Sequence, residues 1–129
     1  MTAEYVDLLR RVYAYRTLAE FGDALHPEAE FLQDSTIPDT DDYIGRDEFM
    51  RGMERWLEEW ERFRYIPEEM VDLGERVYLH VRLRGRAKAS GIEIDQVIYH
   101  LWTFKDGRPW RCEVFFDEAQ ALEAVRTVG

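Results

Sequence analysis

The chain has 129 residues, 46% hydrophobic and 14% aromatic, which is enough for one domain with a real core and too apolar for a disordered segment. Its 27 acids against 17 lysines and arginines leave a formal charge of −10, which argues against a general nucleic-acid binder or a protein that coats anionic membranes. A single cysteine, Cys112, excludes an internal disulfide framework and fits a reducing compartment, so a cytoplasmic location is expected.

Met1 to Leu9 lacks a basic region followed by an apolar run, so no signal peptide is expected. The longest uncharged apolar stretch, Val97 to Phe104, is too short to span a bilayer. Charge is uneven along the chain. Residues 20–75 hold 18 acids against 5 arginines, whereas residues 76–111 hold 8 bases against 3 acids.

Glu4 to Leu18 reads as a helix, with Tyr5, Leu8, Leu9, Val12, Tyr13 and Tyr15 on a broad apolar face. A shorter helical piece, Ala19 to Leu25, stops at His26-Pro27, because a residue before proline disfavours helical geometry. Ala29 to Asp34 is a candidate strand and Ser35 to Asp42 a loop. Asp47 to Phe63 carries the clearest helical spacing, in Phe49, Met50, Met53, Trp56, Leu57, Trp60 and Phe63. Three strands follow: Arg76 to Ala89, Ile92 to Phe104 and Pro109 to Phe116, with turn signals at Ser90-Gly91 and Asp106-Gly107. Glu118 to Val125 reads as a closing helix. Helices first and antiparallel hairpins later indicate an α+β fold with helices on one sheet face.

A two-residue turn at Ser90-Gly91 would set Lys88 against Glu93 and Arg86 against Asp95 on one face. On the other face it would set Leu83 against Ile98, Val81 against His100 and Leu79 against Trp102. The basic stretch then reads as sheet surface, and His100 shares the buried side with Ile98 and Trp102. The Asp106-Gly107 turn leaves two registers open. A two-residue turn would put His100 beside Glu113. A three-residue turn with left-handed Gly107 would put His100 beside Cys112 and Trp102 beside Trp110, and is preferred because it leaves Arg111 and Glu113 outside.

Several segments carry a likeness: His26-Pro27-Glu28-Ala29-Glu30-Phe31, Tyr43-Ile44-Gly45-Arg46, Asp72-Leu73-Gly74-Glu75-Arg76-Val77, Ala89-Ser90-Gly91, Trp102-Thr103-Phe104-Lys105-Asp106-Gly107 and Glu118 to Ala124. In this order and spacing the chain resembles the SnoaL-like branch of the nuclear transport factor 2-like superfamily, which also contains ketosteroid isomerase. The resemblance implies a single domain over residues 1–129. Its fold would be a cone-shaped barrel of a strongly curved, mainly antiparallel sheet wrapped around N-terminal helices. It also implies a mostly apolar pocket at the open end and a homodimer through the outer sheet face, where Tyr78, Val97, Tyr99, Leu101 and Phe115 lie.

The expected pocket contacts are Tyr13, Tyr43, Met53, Trp56, Trp60, Leu79, Ile98, Trp102, Cys112, Val114 and Phe116. The helical aromatics among them also read as plain core. By resemblance to ketosteroid isomerase, a catalytic base falls on Asp34 or beside it, at Gln33, and an oxyanion donor falls on His100. The isomerase's tyrosine position falls on Leu9, with Tyr13 and Tyr15 nearby. As a core residue, His100 would instead be satisfied by Tyr13, Tyr15 or water. His26, His80 and His100 lack metal-ligand spacing, Asp39, Asp41 and Asp42 read as a charged loop, and no phosphate-cradling glycine loop is present, so no metal or cofactor is expected. Three readings stay open: an isomerase or cyclase that removes a proton next to a carbonyl, a non-catalytic binder of a small apolar molecule, and a dimerisation module with a vestigial pocket.

Overall fold

The computed structural model of the chain describes residues 3–33 and 42–127, so Asp34 and the 35–41 stretch of the expected loop, including Asp39 and Asp41, lie outside the described residues. In chain order the elements are α1 (Ala3–Tyr13), α2 (Leu18–Ala24), β1 (Glu30–Leu32), β2 (Tyr43–Ile44), α3 (Arg46–Glu58), β3 (Trp60–Asp72), β4 (Arg76–Ala87), β5 (Glu93–Lys105), β6 (Arg108–Phe115) and α4 (Glu118–Arg126). The strands form one six-stranded curled sheet in the order β2-β1-β6-β5-β4-β3. Every pairing is antiparallel except β1 with β6, and the sheet stays open rather than closing into a barrel. No helix among the described residues is long and apolar enough to cross a membrane.

Alternation along the strands decides where the core sits. Val77, Leu79, Val81 and Leu83 of β4, Ile98 and Trp102 of β5, and Cys112 and Val114 of β6 share the concave face. There they pack with Leu9 and Val12 of α1, Phe21 of α2, and Phe49 and Met53 of α3. On the convex face α4 lays Ala121 over Tyr78 and Leu101, burying both. The outer apolar patch read from the sequence is thus partly covered within the chain itself.

The first helix ends at Tyr13, earlier than its apolar spacing indicates. Thr17 caps α2 instead, accepting the Glu20 N–H at 3.2 Å, while the Glu20 carboxylate accepts the Arg16 N–H at 2.9 Å. This is a local variant of the reciprocal capping arrangement that fixes a helix start. The third helix ends at Glu58, and Trp60 and Phe63 belong to β3, a thirteen-residue strand that the helical reading obscured. Both residues satisfy helical spacing, but pairing with β4 prevails. A bulge between Glu61 and Arg64, with Arg62 left-handed at φ 52°, brings Trp60 and Phe63 to the same side. Gly85 makes this possible, because a Cβ there would lie 2.9 Å from Phe63 and 3.4 Å from Trp60. Pro67 is tolerated because β3 is an edge strand.

Both hairpins depart from the expected registers while keeping the expected faces. The β4–β5 loop has four residues rather than two: Gly91, at φ 74°, donates its N–H to Ala87 C=O at 2.8 Å. Arg86 therefore faces Glu93, Leu83 faces Gln96 and Val81 faces Ile98. The slip is two residues, so no side chain changes face. On the convex side Arg82 bridges Glu68 at 2.9 Å and Asp95 at 2.7 Å. At the second hairpin, Asp106 (φ 54°) and Gly107 (φ 75°) form a two-residue turn, contrary to the preferred three-residue one. A bulge at Trp110 restores parity, so His100 pairs with Val114 and Trp102 with Cys112. Neither a His100–Glu113 pair nor a His100–Cys112 pair forms in the register. Trp110 instead lies under the Arg111 guanidinium, 4.4 Å from the ring centre, and beside the Lys105 ammonium.

Candidate functional site

A cavity of about 300 Å³ opens between α3 and the concave sheet. Eight of the sequence-derived positions meet there: Tyr43, Met53, Trp56, Trp60, Ile98, His100, Val114 and Phe116. Trp56 and Phe116 are more than one-third exposed and form part of the rim. Tyr43 is seated by a close approach: a Cβ on Gly52 would lie 2.5 Å from the Tyr43 ring, so only glycine leaves room on that turn of α3.

Four expected contacts lie elsewhere. Tyr13, Trp102 and Cys112 surround a much smaller void of about 20 Å³ behind His100. Leu79 is fully buried in the core and lines neither space. Conversely, Phe31, Tyr65 and Ile94 line the cavity without having been singled out. Tyr65 was hidden because its strand was not recognised. Leu83, Gln96 and Gln33 also line it. Strand alternation puts Leu83 and Gln96 on the same face as Ile98 and His100, and Gln33 is the alternative to Asp34 in the expected base position. Asp34 itself lies outside the described residues.

The polar network of the cavity wall centres on His100, which is 4% exposed. The Trp102 indole N–H, a donor only, gives its hydrogen bond to the Tyr13 oxygen at 2.8 Å. The Tyr13 hydroxyl lies 2.6 Å from His100 Nδ1. Since Trp102 can only donate, His100 Nδ1 is the one acceptor within reach of the Tyr13 hydroxyl among the described residues, and the phenol proton goes there. That assigns His100 to the tautomer protonated at Nε2. Nε2 is buried and has no hydrogen-bond partner among the described residues. Burial pushes the His100 pKa down to about 3, so the ring is neutral at physiological pH. The cavity wall thus holds a neutral ring with a buried, unpaired N–H among mostly apolar side chains.

Burial also raises the pKa of Tyr13 and Tyr65, and pushes the Cys112 thiol well above its usual range. Cys112 is therefore a protonated core side chain and no nucleophile. The other histidines are engaged elsewhere. His26 bonds Asp106 at 3.0 Å and accepts the Glu28 N–H, pinning the β5–β6 turn. His80 lies on the convex side, 3.6 Å from Glu69 and 3.4 Å from Glu118. Among the described residues no three His, Cys, Asp or Glu side chains converge to hold a metal ion.

The sequence model of the SnoaL-like domain matches residues 5–112, so the chain belongs to the SnoaL-like family. Solved structures with the same fold include an NTF2-like protein from Burkholderia thailandensis, 22% identical over 94% of this chain and 96% of that one, with a TM-score of 0.76. A putative SnoaL-like polyketide cyclase from Jannaschia is 17% identical over 99% of this chain and 95% of that one, with a TM-score of 0.78. TerC, co-crystallised with polyporic acid, is 18% identical over 96% and 99%, with a TM-score of 0.75. At these identities the likeness establishes the fold alone. No curated protein matches the chain.

Proposed function

We propose that the cavity binds a flat, apolar, carbonyl-bearing molecule and that His100 Nε2–H donates to the carbonyl oxygen. The observation that carries this reading is the buried, unpartnered Nε2 of a neutral histidine in the wall of an aromatic cavity. A donor placed there becomes more valuable as negative charge develops on the oxygen. Removing one such donor from an oxyanion site typically costs about 10²–10³-fold in rate. His100 acts by holding its hydrogen bond throughout and keeps its proton. The likeness to a putative polyketide cyclase and to a protein co-crystallised with polyporic acid supports a ligand of this general kind.

Conversion of the ligand, in the manner of an isomerase or cyclase, requires a base for the proton next to the carbonyl. Asp34 is the proposed base, one position beyond the cavity-lining Gln33. A second reading, binding without turnover, is favoured by one observation: no carboxylate lines the cavity among the described residues. Exchange of a bound ketone's α-protons into heavy water separates the two readings. As an enzyme the wild-type protein catalyses exchange, Asp34→Asn abolishes it while still binding the ketone, and His100→Phe slows it. As a pure binder it holds the ketone and exchanges nothing. Absence of ketone binding contradicts both.

We further propose that the convex face forms a homodimer over the area around Val97 that α4 leaves uncovered. Light scattering would then give twice the chain mass, and a monomer at high concentration would contradict it.

A further inference from the structure

Among the described residues, three buried side-chain polar atoms have no hydrogen-bond partner: Trp60 Nε1, Tyr78 Oη and His100 Nε2. Two of these three belong to side chains that line the same cavity of about 300 Å³. Trp60 Nε1 is a donor only, and the tautomer fixed by Tyr13 makes His100 Nε2 a donor as well. Buried donors are rarely left unpaired, because each forfeits a bond it would make in water. No residue with a formal charge lines the cavity among the described residues, so a charged ligand would be desolvated there without compensation.

The indole's position is built rather than incidental. The Arg62 bulge turns Trp60 to the concave side, and Gly85 makes room for it. Trp56 and Phe63 pack against it with ring centres 5.3 Å and 5.6 Å away, and against each other at 5.6 Å, so the three rings form one cluster.

We propose that Trp60 is a second positioning donor of this site and that its ligand is a neutral, flat molecule with two acceptor oxygens, one for Trp60 Nε1–H and one for His100 Nε2–H. The inference rests on the carbonyl-binding reading above and narrows it to a diketone-like class. It also assigns selectivity to a residue on β3, away from the histidine.

The test uses a series of nearly constant shape on the whole protein: 1,4-diethylbenzene, 4-ethylacetophenone, and the 1,3- and 1,4-diacetylbenzenes. Affinities are compared as ratios between wild type and variant, so that the differing hydration of the ligands cancels. The affinity ratio of the better diacetylbenzene to 4-ethylacetophenone is expected to fall about tenfold in Trp60→Phe. In the wild-type protein the Trp60 indole N–H resonance is expected to move downfield with the diacetylbenzene and to stay in place with 1,4-diethylbenzene. This second readout decides the matter if Trp60→Phe fails to fold. An unchanged ratio, or an indole resonance indifferent to the diketone, overturns the two-acceptor proposal. The carbonyl-binding reading survives that outcome provided 4-ethylacetophenone still binds in a manner that depends on His100. If neither ketone binds, both proposals fall.

Discussion

Tyr13, the last residue of the first helix, and His100, near the centre of β5, meet at 2.6 Å across 87 positions of sequence. The contact joins the helical layer to the sheet at one polar point in an otherwise apolar core. It also sets the hydrogen-bond pattern around His100. Trp102 gives its hydrogen bond to Tyr13, Tyr13 gives its own to His100, and His100 is left with a free N–H at its far nitrogen.

Tyr13→Phe breaks this chain in two places, since it leaves both Trp102 Nε1 and His100 Nδ1 buried without the hydroxyl. The expected loss of stability is about 2 kcal/mol in urea unfolding, the usual cost of stranding buried polar groups. Ketone affinity is expected to drop as well, because nothing then fixes the tautomer. A variant as stable as wild type would show that the two bonds contribute little.

Stability should depend on pH through His100. Its folded-state pKa is about 3, below the ordinary 6.5, because burial disfavours the charged ring. The unfolded chain therefore takes up a proton from about pH 6.5 downward while the folded chain does not, so protonation favours unfolding. The contribution is fully present above pH 6.5 and is lost as pH falls toward about 3. Its slope approaches about 1.4 kcal/mol per pH unit inside that window. Unfolding free energies of wild type and His100→Phe, followed from pH 7 to pH 4, should diverge with this sign. Parallel curves would show that the ring ionises as readily folded as unfolded.

Gly52→Ala tests the seat of Tyr43. On an open helix face the change would stabilise by up to about 1 kcal/mol through helix propensity. Here the new Cβ would lie 2.5–2.8 Å from three atoms of the Tyr43 ring. Tyr43 must shift, and the expected net result is a destabilisation of about 1–3 kcal/mol with weaker ketone binding. A gain in thermal stability would mean that the ring relocates without cost.

Much of this arrangement was legible in the sequence because side-chain alternation is insensitive to a slip of two. The β4–β5 register differs from the expected one by two residues, yet Ile98, His100 and Trp102 remain on the concave face. The β5–β6 hairpin was harder. Its turn has two residues, but the bulge at Trp110 cancels the resulting inversion, so Cys112 and Val114 still face inward. No local signal marks such a bulge. The largest departure is β3. Trp56, Trp60 and Phe63 lie at helical spacing, and only pairing with β4 over long sequence distance decides that the last two are strand. With β3 unseen, Tyr65 was missed. Trp60 could be named as a pocket residue, but only on the wrong element. The strand β2 spans two residues and is too short to leave a pattern.

The most direct test of the account is a co-crystal structure with 4-ethylacetophenone. We expect the ring between Trp60, Tyr65 and Ile98, with the carbonyl oxygen within about 3.2 Å of His100 Nε2, the reach of a hydrogen bond. A ligand bound in the cavity with its oxygen turned away from His100, or bound only outside it, would contradict the account.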